Sequence, residues 1–461
     1  MAWENGLMLG SSGLLRRLPG AMHNRDFALL VLGSLVTNLA TQMIAVAIGW
    51  QVYDIHHRPF DLGLVGLLEF GPVFILALPA GALTDRISRK LMLAAATILL
   101  TAIGAALILV SNTGAHQLWP FLAIAAAIGV AQAVSFPAMR ALPPLLVSRE
   151  ELPGALALES VVWQAGTVAG PALGGLLFAI HPEIAYATAL GLFGLAATAT
   201  LLISLHGRAA TPTHAVHPVR ELLGGIHFIA ATPMLLGAIL LDLFAVLFGG
   251  AVALLPVFAQ SILHVGPFGL GVLRSGPALG AVVAGILLIR TPLRTRAGPT
   301  LIAMVAIFGA STVVFGLSHW FIVSLAALLV GGFVDMFSVN IRSITATMIT
   351  PDAVRGRVGS VEAVFIGASN QLGAFESGTA AALLGTIPSV VAGGAITIAI
   401  ALSWTKLFPA LAKLGRMSEL RPADAGDGAE DADEAALRTP PGNLDGSSVD
   451  LAGQVADRSA L

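Results

Sequence analysis

The sequence predicts an all-α integral membrane protein, with twelve transmembrane helices arranged as two six-helix pseudo-repeats. Three observations predict it. Of 461 residues, 56% are hydrophobic and only 11% are charged, where an ordinary soluble domain carries about 25% charge. A water-soluble fold of this length could not cover so much apolar side chain, so the excess must face lipid. The apolar residues also fall into long runs, and a helix needs about 20 of them to cross the hydrocarbon core. Finally, the two halves repeat each other's polar and Gly/Pro landmarks at a nearly constant offset. This pattern excludes a soluble enzyme and an intrinsically disordered chain. It argues against an outer-membrane barrel, whose alternating strands leave no long apolar runs. Cysteine is absent, which excludes disulfides, thiolate metal sites and cysteine nucleophiles.

In chain order the spans read roughly 26–51, 61–83, 91–111, 118–140, 156–180, 184–205, 233–260, 268–290, 299–317, 320–342, 358–384 and 386–405. Several merge at short Gly/Pro turns, such as 385–388. Lys and Arg set the orientation, since they concentrate on the cytoplasmic side. With the N-terminus inside, 20 of the 24 bases fall in cytoplasmic segments. Arg342 is counted there, as part of the turn after span 10. Only Arg58 falls in an outer turn and only Arg274 within a span.

The expected organisation is a cytoplasmic segment (1–23), a six-helix bundle (24–205), a central cytoplasmic linker (206–232), a second bundle (233–410) and an acidic tail (411–461). Residues 1–20 do not read as a signal peptide, because the apolar stretch is short and its Arg pair follows it. The last 44 residues hold ten acids and three Arg, and such a composition reads as disordered.

The repeat is legible in detail. Span 4 ends on Arg140, followed by Ser148, Glu150, Leu152 and Gly154. Span 10 ends on Arg342, followed by Thr350, Asp352, Val354 and Gly356, at one offset of 202. Gly66, Gly71 and Pro72 match Gly271, Gly276 and Pro277 at an offset of 205. A parallel duplication of six-helix units is the layout of one large transporter class, with its substrate site between the halves near mid-membrane.

Two motifs sharpen this. The loop after span 2 runs from Gly81 through Leu83, Asp85 and Arg86 to Arg89 and Lys90. A carboxylate among three cations at a membrane edge suits charge-assisted hydrogen bonds. Span 5 contains Gly166, Gly170, Pro171, Gly174 and Gly175. Glycines at i, i+4 and i+8 make a smooth face that permits close helix approach, and Pro171 permits a bend.

The first motif resembles the Gly-x-Leu-small-Asp-Arg-x-Gly-Arg-Arg/Lys loop of the major facilitator superfamily, with Ser88 in place of the second Gly. The second resembles that superfamily's Gly-x-x-x-Gly-Pro-x-x-Gly-Gly exporter signature. The opening Asn24-Arg25-Asp26-Phe27 and the segment Thr350–Val358 resemble its enterobactin-exporter branch. The resemblance covers about residues 24–410. It implies the major facilitator fold, a latch between the halves at Asp85, Arg86 and Arg89, and a cavity lined by spans 1, 4, 7 and 10. Many drug/proton antiporters have an Arg within span 4; here span 4 has no charge before Arg140.

Charges within spans are costly and therefore mark functional positions. Asp242 in span 7 and Asp335 in span 10 share a similar depth, and one or the other is the expected proton carrier. Asn38, Thr41 and Gln42 in span 1 share a helix face, and span 4 offers Gln132 and Ser135. Nearer the outside lie Glu69, Arg274 and Glu376, with one of the two acids expected as counter-ion to Arg274. Glu159 and Glu362 read as solvated residues near the cytoplasmic starts of spans 5 and 11. The eleven His form no metal-ligand cluster. No phosphate-cradling Gly-x-x-x-x-Gly-Lys motif occurs, so no nucleotide partner is expected.

The expected activity is secondary active transport in the inner membrane of a bacterium. It is proton-coupled efflux of a small organic molecule, siderophore or drug-like, by alternating access. A proton-coupled importer and a non-transporting membrane receptor or assembly protein are the alternatives. No enzymatic activity, cofactor, metal or nucleic acid is expected; the partners are a small-molecule substrate, protons and the bilayer.

Overall fold

The computed structural model describes residues 20–113, 117–204, 218–290 and 296–415. Among them run twelve long helical segments: α1 (Arg25–His56), α2 (Pro59–Arg86), α3 (Arg89–Asn112), α4 (Trp119–Ala141), α5 (Leu152–Ile180), α6 (Pro182–Leu202), α7 (Pro233–Ile262), α8 (Gly266–Arg290), α9 (Ala297–Leu317), α10 (Phe321–Ile349), α11 (Asp352–Leu384) and α12 (Thr386–Leu407). Eleven are long and apolar enough to cross a membrane unaided. The twelfth, α11, spans 33 residues and carries Asp352, Arg355, Arg357, Glu362 and Glu376. Of the predicted tail (411–461), residues 416–461 lie outside the described residues. The predicted linker contains a further helix, Pro218–Ala231, packed against α11.

Local chemistry explains the boundaries. Asn24 caps α1, its side chain accepting from the backbone N–H of Asp26 at 2.9 Å and of Phe27 at 3.3 Å. Capping satisfies donors that the helix itself leaves open. Ser88 caps α3 by accepting from Leu91 N–H at 3.3 Å. The residue that departs from the family's glycine thus has a job of its own. The Ser148 hydroxyl accepts from Glu151 N–H at 3.3 Å and donates to its carboxylate at 3.0 Å, ordering the turn before α5. A left-handed Gly385 (φ 90°) turns the chain from α11 into α12. That conformation favours glycine.

The helix pairings repeat with a shift of six. In the first half α1 packs on α5 and α6, α2 on α4, and α3 on α4 and α6. In the second, α7 packs on α11 and α12, α8 on α10, and α9 on α10 and α12. Across the halves, α5 crosses α8 and α2 crosses α11. Every pair has its counterpart six helices on, as expected of a duplicated bundle.

The apolar cores show how the halves meet. At one end, here called distal, a single cluster runs through both halves: Ala40 to Tyr53, Phe121, Tyr186, Leu254 to Phe258, Leu270 and Phe315. At the opposite, proximal end each half keeps its own core. One is built around Phe27, Met92 and Leu142, the other around Leu241, Ile341 and Trp404. The halves therefore share a core distally and separate proximally. Space around glycines on the crossing helices agrees. A side-chain carbon added at proximal Gly154, Gly285 or Gly359 would meet no atom within 4 Å, whereas one at distal Gly63 would fall 3.1 Å from the Phe375 carbonyl oxygen.

Candidate functional site

The first charged group lies in the second half. Asp242 stands nine residues into α7, about 14 Å from its start, and Arg342 seven residues before the end of α10, at about 1.5 Å per residue. The two form an ion pair with side chains only 10% and 7% exposed. Beside them a small cleft, with room for about one water-sized occupant, is lined by Asp242, Arg342 and Glu362 together with Ile239, Leu243, Phe365 and Ile366. Asp335 lies two turns further along α10, where the charges of Asp242 and Arg342 both bear on it. The charge of one guanidinium thus bears on three carboxylates within the proximal part of the second half. In a low-dielectric setting such groups persist only when paired and hydrogen-bonded.

Two expectations are corrected here. Arg342 is not a turn residue: α10 continues to Ile349, and Arg342 is 6% exposed. Polar Asn340, Arg342 and Ser343 end the hydropathic run, but the backbone hydrogen bonds continue through them. Its repeat partner Arg140 is exposed and rests 5.6 Å above the Phe136 ring, so the repeated residue has two different roles. Glu362 is not solvated near a helix start either. The helix begins at Asp352, which places Glu362 almost three turns in, beside Arg342.

The second group joins the halves. Gln132 Nε2 on α4 donates to Glu69 Oε1 on α2 at 2.6 Å. The charge of Arg274, on α8 of the other half, acts on Glu69 through space. Of the two acids offered as counter-ion, Glu69 takes that part. Glu376 does not face Arg274; it lines a separate cleft within the second half.

The remaining candidates settle into packing. Asn38 is 2% exposed, and its amide donates to the Trp163 carbonyl at 2.6 Å and to Thr167 Oγ1 at 3.0 Å. It ties α1 to α5. The glycine face lies on this same seam. A Cβ at Gly170 would fall 2.6 Å from Gln42 Cβ, and one at Gly174 would fall 2.6 Å from Met43 Cα. Gly166 abuts Asn38 in the same way. The neighbouring Gly175 and Pro171 turn to α8, where Gly271 meets the Pro171 carbonyl and Gly175 meets that of Pro267. Ser275 Oγ donates to Val168 O at 2.7 Å and extends this crossing. Gly170→Leu is accordingly expected to push α1 off α5. Overpacking costs about 1–3 kcal/mol, read as a lower unfolding temperature of the purified protein. An unchanged unfolding temperature would refute the packing role.

In the loop motif, Arg89 donates to the Ala141 carbonyl at 3.4 Å and Lys90 Nζ to that of Ile203. Both contacts stay within the first half in this conformation. The side chains of residues 77–86, among them Gly81, Asp85 and Arg86, lie outside the described ones. Among the described residues no cluster of three His, Asp or Glu suits a metal ion.

Twelve helices in two repeated halves, with separate proximal cores and charges buried within one half, have the layout of a membrane carrier. The profile of a family described as transmembrane secretion effectors matches residues 20–423. The chain belongs to this branch of the major facilitator superfamily. The facilitator is 26% identical over 376 residues to the enterobactin exporter EntS of Shigella boydii serotype 18 and to that of Escherichia coli O139:H28. The match covers 80% of this chain and 88% of each exporter. Among solved structures, a POT family transporter in complex with 5-aminolevulinic acid superimposes with a TM-score of 0.69 at 13% identity, covering 85% of this chain and 97% of that one. A bacterial homologue of the lysosomal transporter Spinster, in an inward-facing and occupied conformation, gives 0.64 at 15% identity, covering 84% and 97%. These likenesses are to transporters, and the facilitator is a multi-pass membrane transporter with no relation to an enzyme among them.

Proposed function

We propose that this facilitator exports a small organic molecule, siderophore or drug-like, from a bacterial cytoplasm in exchange for protons. The buried Asp242–Arg342 pair, facing Glu362 in the proximal cleft, carries this reading. The glycine seam and the enterobactin-exporter relatives support the outward direction. The distribution of Lys and Arg supports an inner-membrane orientation with both termini cytoplasmic. Residues 1–23, 206–232 and 411–461 then lie in the cytoplasm, and 24–205 and 233–410 form the two bundles. The separated proximal end then faces the cytoplasm and the arrangement described above is the inward-facing state.

Coupling follows from the charges. With Asp242 ionised, its carboxylate holds Arg342. A proton on Asp242 neutralises it and releases the guanidinium, which lies next to Glu362 and within the field of Asp335. Proton and substrate then compete for the same small set of carboxylates, and alternating access exposes that set to one side at a time. Gly81, Asp85, Arg86 and Arg89 latch the proximal ends together in the opposite state.

Purified protein in proteoliposomes tests the reading, with a catecholate siderophore and a lipophilic cation as probes. Accumulation of either against its gradient is expected only under an imposed pH gradient. Accumulation indifferent to that gradient would overturn proton coupling.

A further inference from the structure

Helix α7 is not continuous. It is α-helical over Pro233–Gly249 and then breaks at Gly250, which has φ −80° and ψ 80°. A 3-10 turn (Ala251–Leu254), a short α-segment (Leu255–Val257) and a π-turn (Phe258–Ile262) complete it. A helix that stops inside a membrane leaves carbonyls without their N–H partners. Those carbonyls collect the negative end of the helix dipole.

Side chains from two neighbouring helices turn toward the break. Thr312 Oγ1 on α9 donates to the Gly249 carbonyl at 3.2 Å. Ser377 Oγ on α11 donates to the Gly250 carbonyl at 3.1 Å. Next to Ser377 stands Glu376, the acid that the coupling cluster leaves unused. Thr312, Glu376 and Ser377 line one cleft beside the break, together with Phe248 and Ala251 of α7 and Ser389 of α12. It has room for one water-sized occupant. No basic side chain lines it.

We propose that this cleft binds one monovalent alkali cation of sodium's size, held by Glu376 and the hydroxyl oxygens of Thr312, Ser377 and Ser389 beside the break of α7. The donors are all hard oxygens, the kind that such cations take. A single carboxylate balances a single charge, and a divalent ion would leave an uncompensated positive charge at this depth. The space is too small for an organic substrate. Broken helices whose free carbonyls and C-terminal ends hold a cation are a recurring device in membrane carriers.

The cation has a mechanical consequence. It ties α9, α11 and α12 together at the end of the lower part of α7, whose carbonyls Thr312 and Ser377 already hold. The upper part carries the seal between the halves: Ser261 hydrogen-bonds Tyr53 at 2.8 Å, and Gln260 Nε2 donates to the Trp50 carbonyl at 3.0 Å. Fixing the break therefore favours distal closure.

The test uses the full chain in nanodiscs. Thermal unfolding is followed in NaCl against choline chloride at equal ionic strength. Since the chain has no cysteine, Arg58→Cys and His319→Cys introduce one spin label on an exposed distal turn of each half. Sodium is expected to raise the unfolding temperature saturably and to shift the distal distance toward its shorter value. Glu376→Gln should weaken half-saturation by about tenfold or more, and Ser389→Ala should weaken it less. If Glu376→Gln does not fold, Ser389→Ala and Thr312→Val carry the same measurement. Equal behaviour in sodium and choline, or a sodium response unchanged in these variants, would overturn the proposal and leave water as the occupant. Asp242→Asn should keep the sodium response, so loss of proton coupling and loss of this site are distinguishable.

Discussion

Asp242→Asn is expected to abolish proton-driven accumulation and to lower stability at the same time. The two effects have different causes. Accumulation is lost because an amide cannot carry the proton that releases Arg342. Stability falls because Arg342, with a side chain 7% exposed, loses its ion-pair partner. Breaking a buried pair from one side typically costs about 3–5 kcal/mol. Asp335 and Glu362 stand near enough for their charges to act on Arg342, and recapture by either would soften the loss. The double variant Asp242→Asn/Arg342→Gln removes both charges and separates the causes. It should recover most of the unfolding temperature and none of the gradient-driven accumulation, while downhill exchange continues in either variant. Full accumulation in the double variant would remove Asp242 from coupling and direct attention to Glu69, whose carboxylate faces Gln132 and Arg274 across the halves.

Gly271→Leu should reduce transport to background in a protein whose halves remain folded. Gly271 sits where α8 crosses α5, against the Pro171 carbonyl and Gly175 Cα. Both neighbours are backbone, so no rotamer change makes room. The added side chain must lift one half from the other at the distal end. An overpacking cost of about 1–3 kcal/mol, set against a conformational equilibrium, shifts populations by about 5–150-fold. Distal spin labels at positions 58 and 319 should therefore report a longer distance. Gly191→Leu is the control, because α6 is not a crossing helix and a Cβ there meets no atom within 4 Å. It should transport as wild type does. If Gly271→Leu also transports normally, the α5–α8 crossing is not part of the seal.

The spans, their number and their duplication were all legible in the sequence. Apolar runs long enough to cross a bilayer are local facts, and so is the Gly385 turn. The glycine spacing in α5 also pointed correctly to close approach, since i, i+4 and i+8 share a helix face whatever the partner. Boundaries were less legible at α10 and α11, where polar side chains end an apolar run while the helix continues. That error placed Arg342 in a turn and Glu362 in solvent, and so concealed the most concentrated charge cluster in the second half.

The roles of individual polar residues required the tertiary structure. Asn38 and Asp242 both read as cavity-facing polar groups on corresponding helices. One is used in packing α1 on α5, and the other pairs with an arginine a hundred residues away. Arg140 and Arg342 occupy matching places in the repeat, yet one lies over an exposed ring and the other is buried. Glu376 and Glu69 were equal candidates for Arg274 until helix placement gave it to Glu69. Hydrophobic length is a property of each segment alone, so this sequence determined that the chain spans the membrane, how many times, and in two repeated halves. Pairing depends on which helices become neighbours and how each is rotated, so the partner of each buried charge, the break in α7 and the end at which the halves close were decided only by tertiary packing.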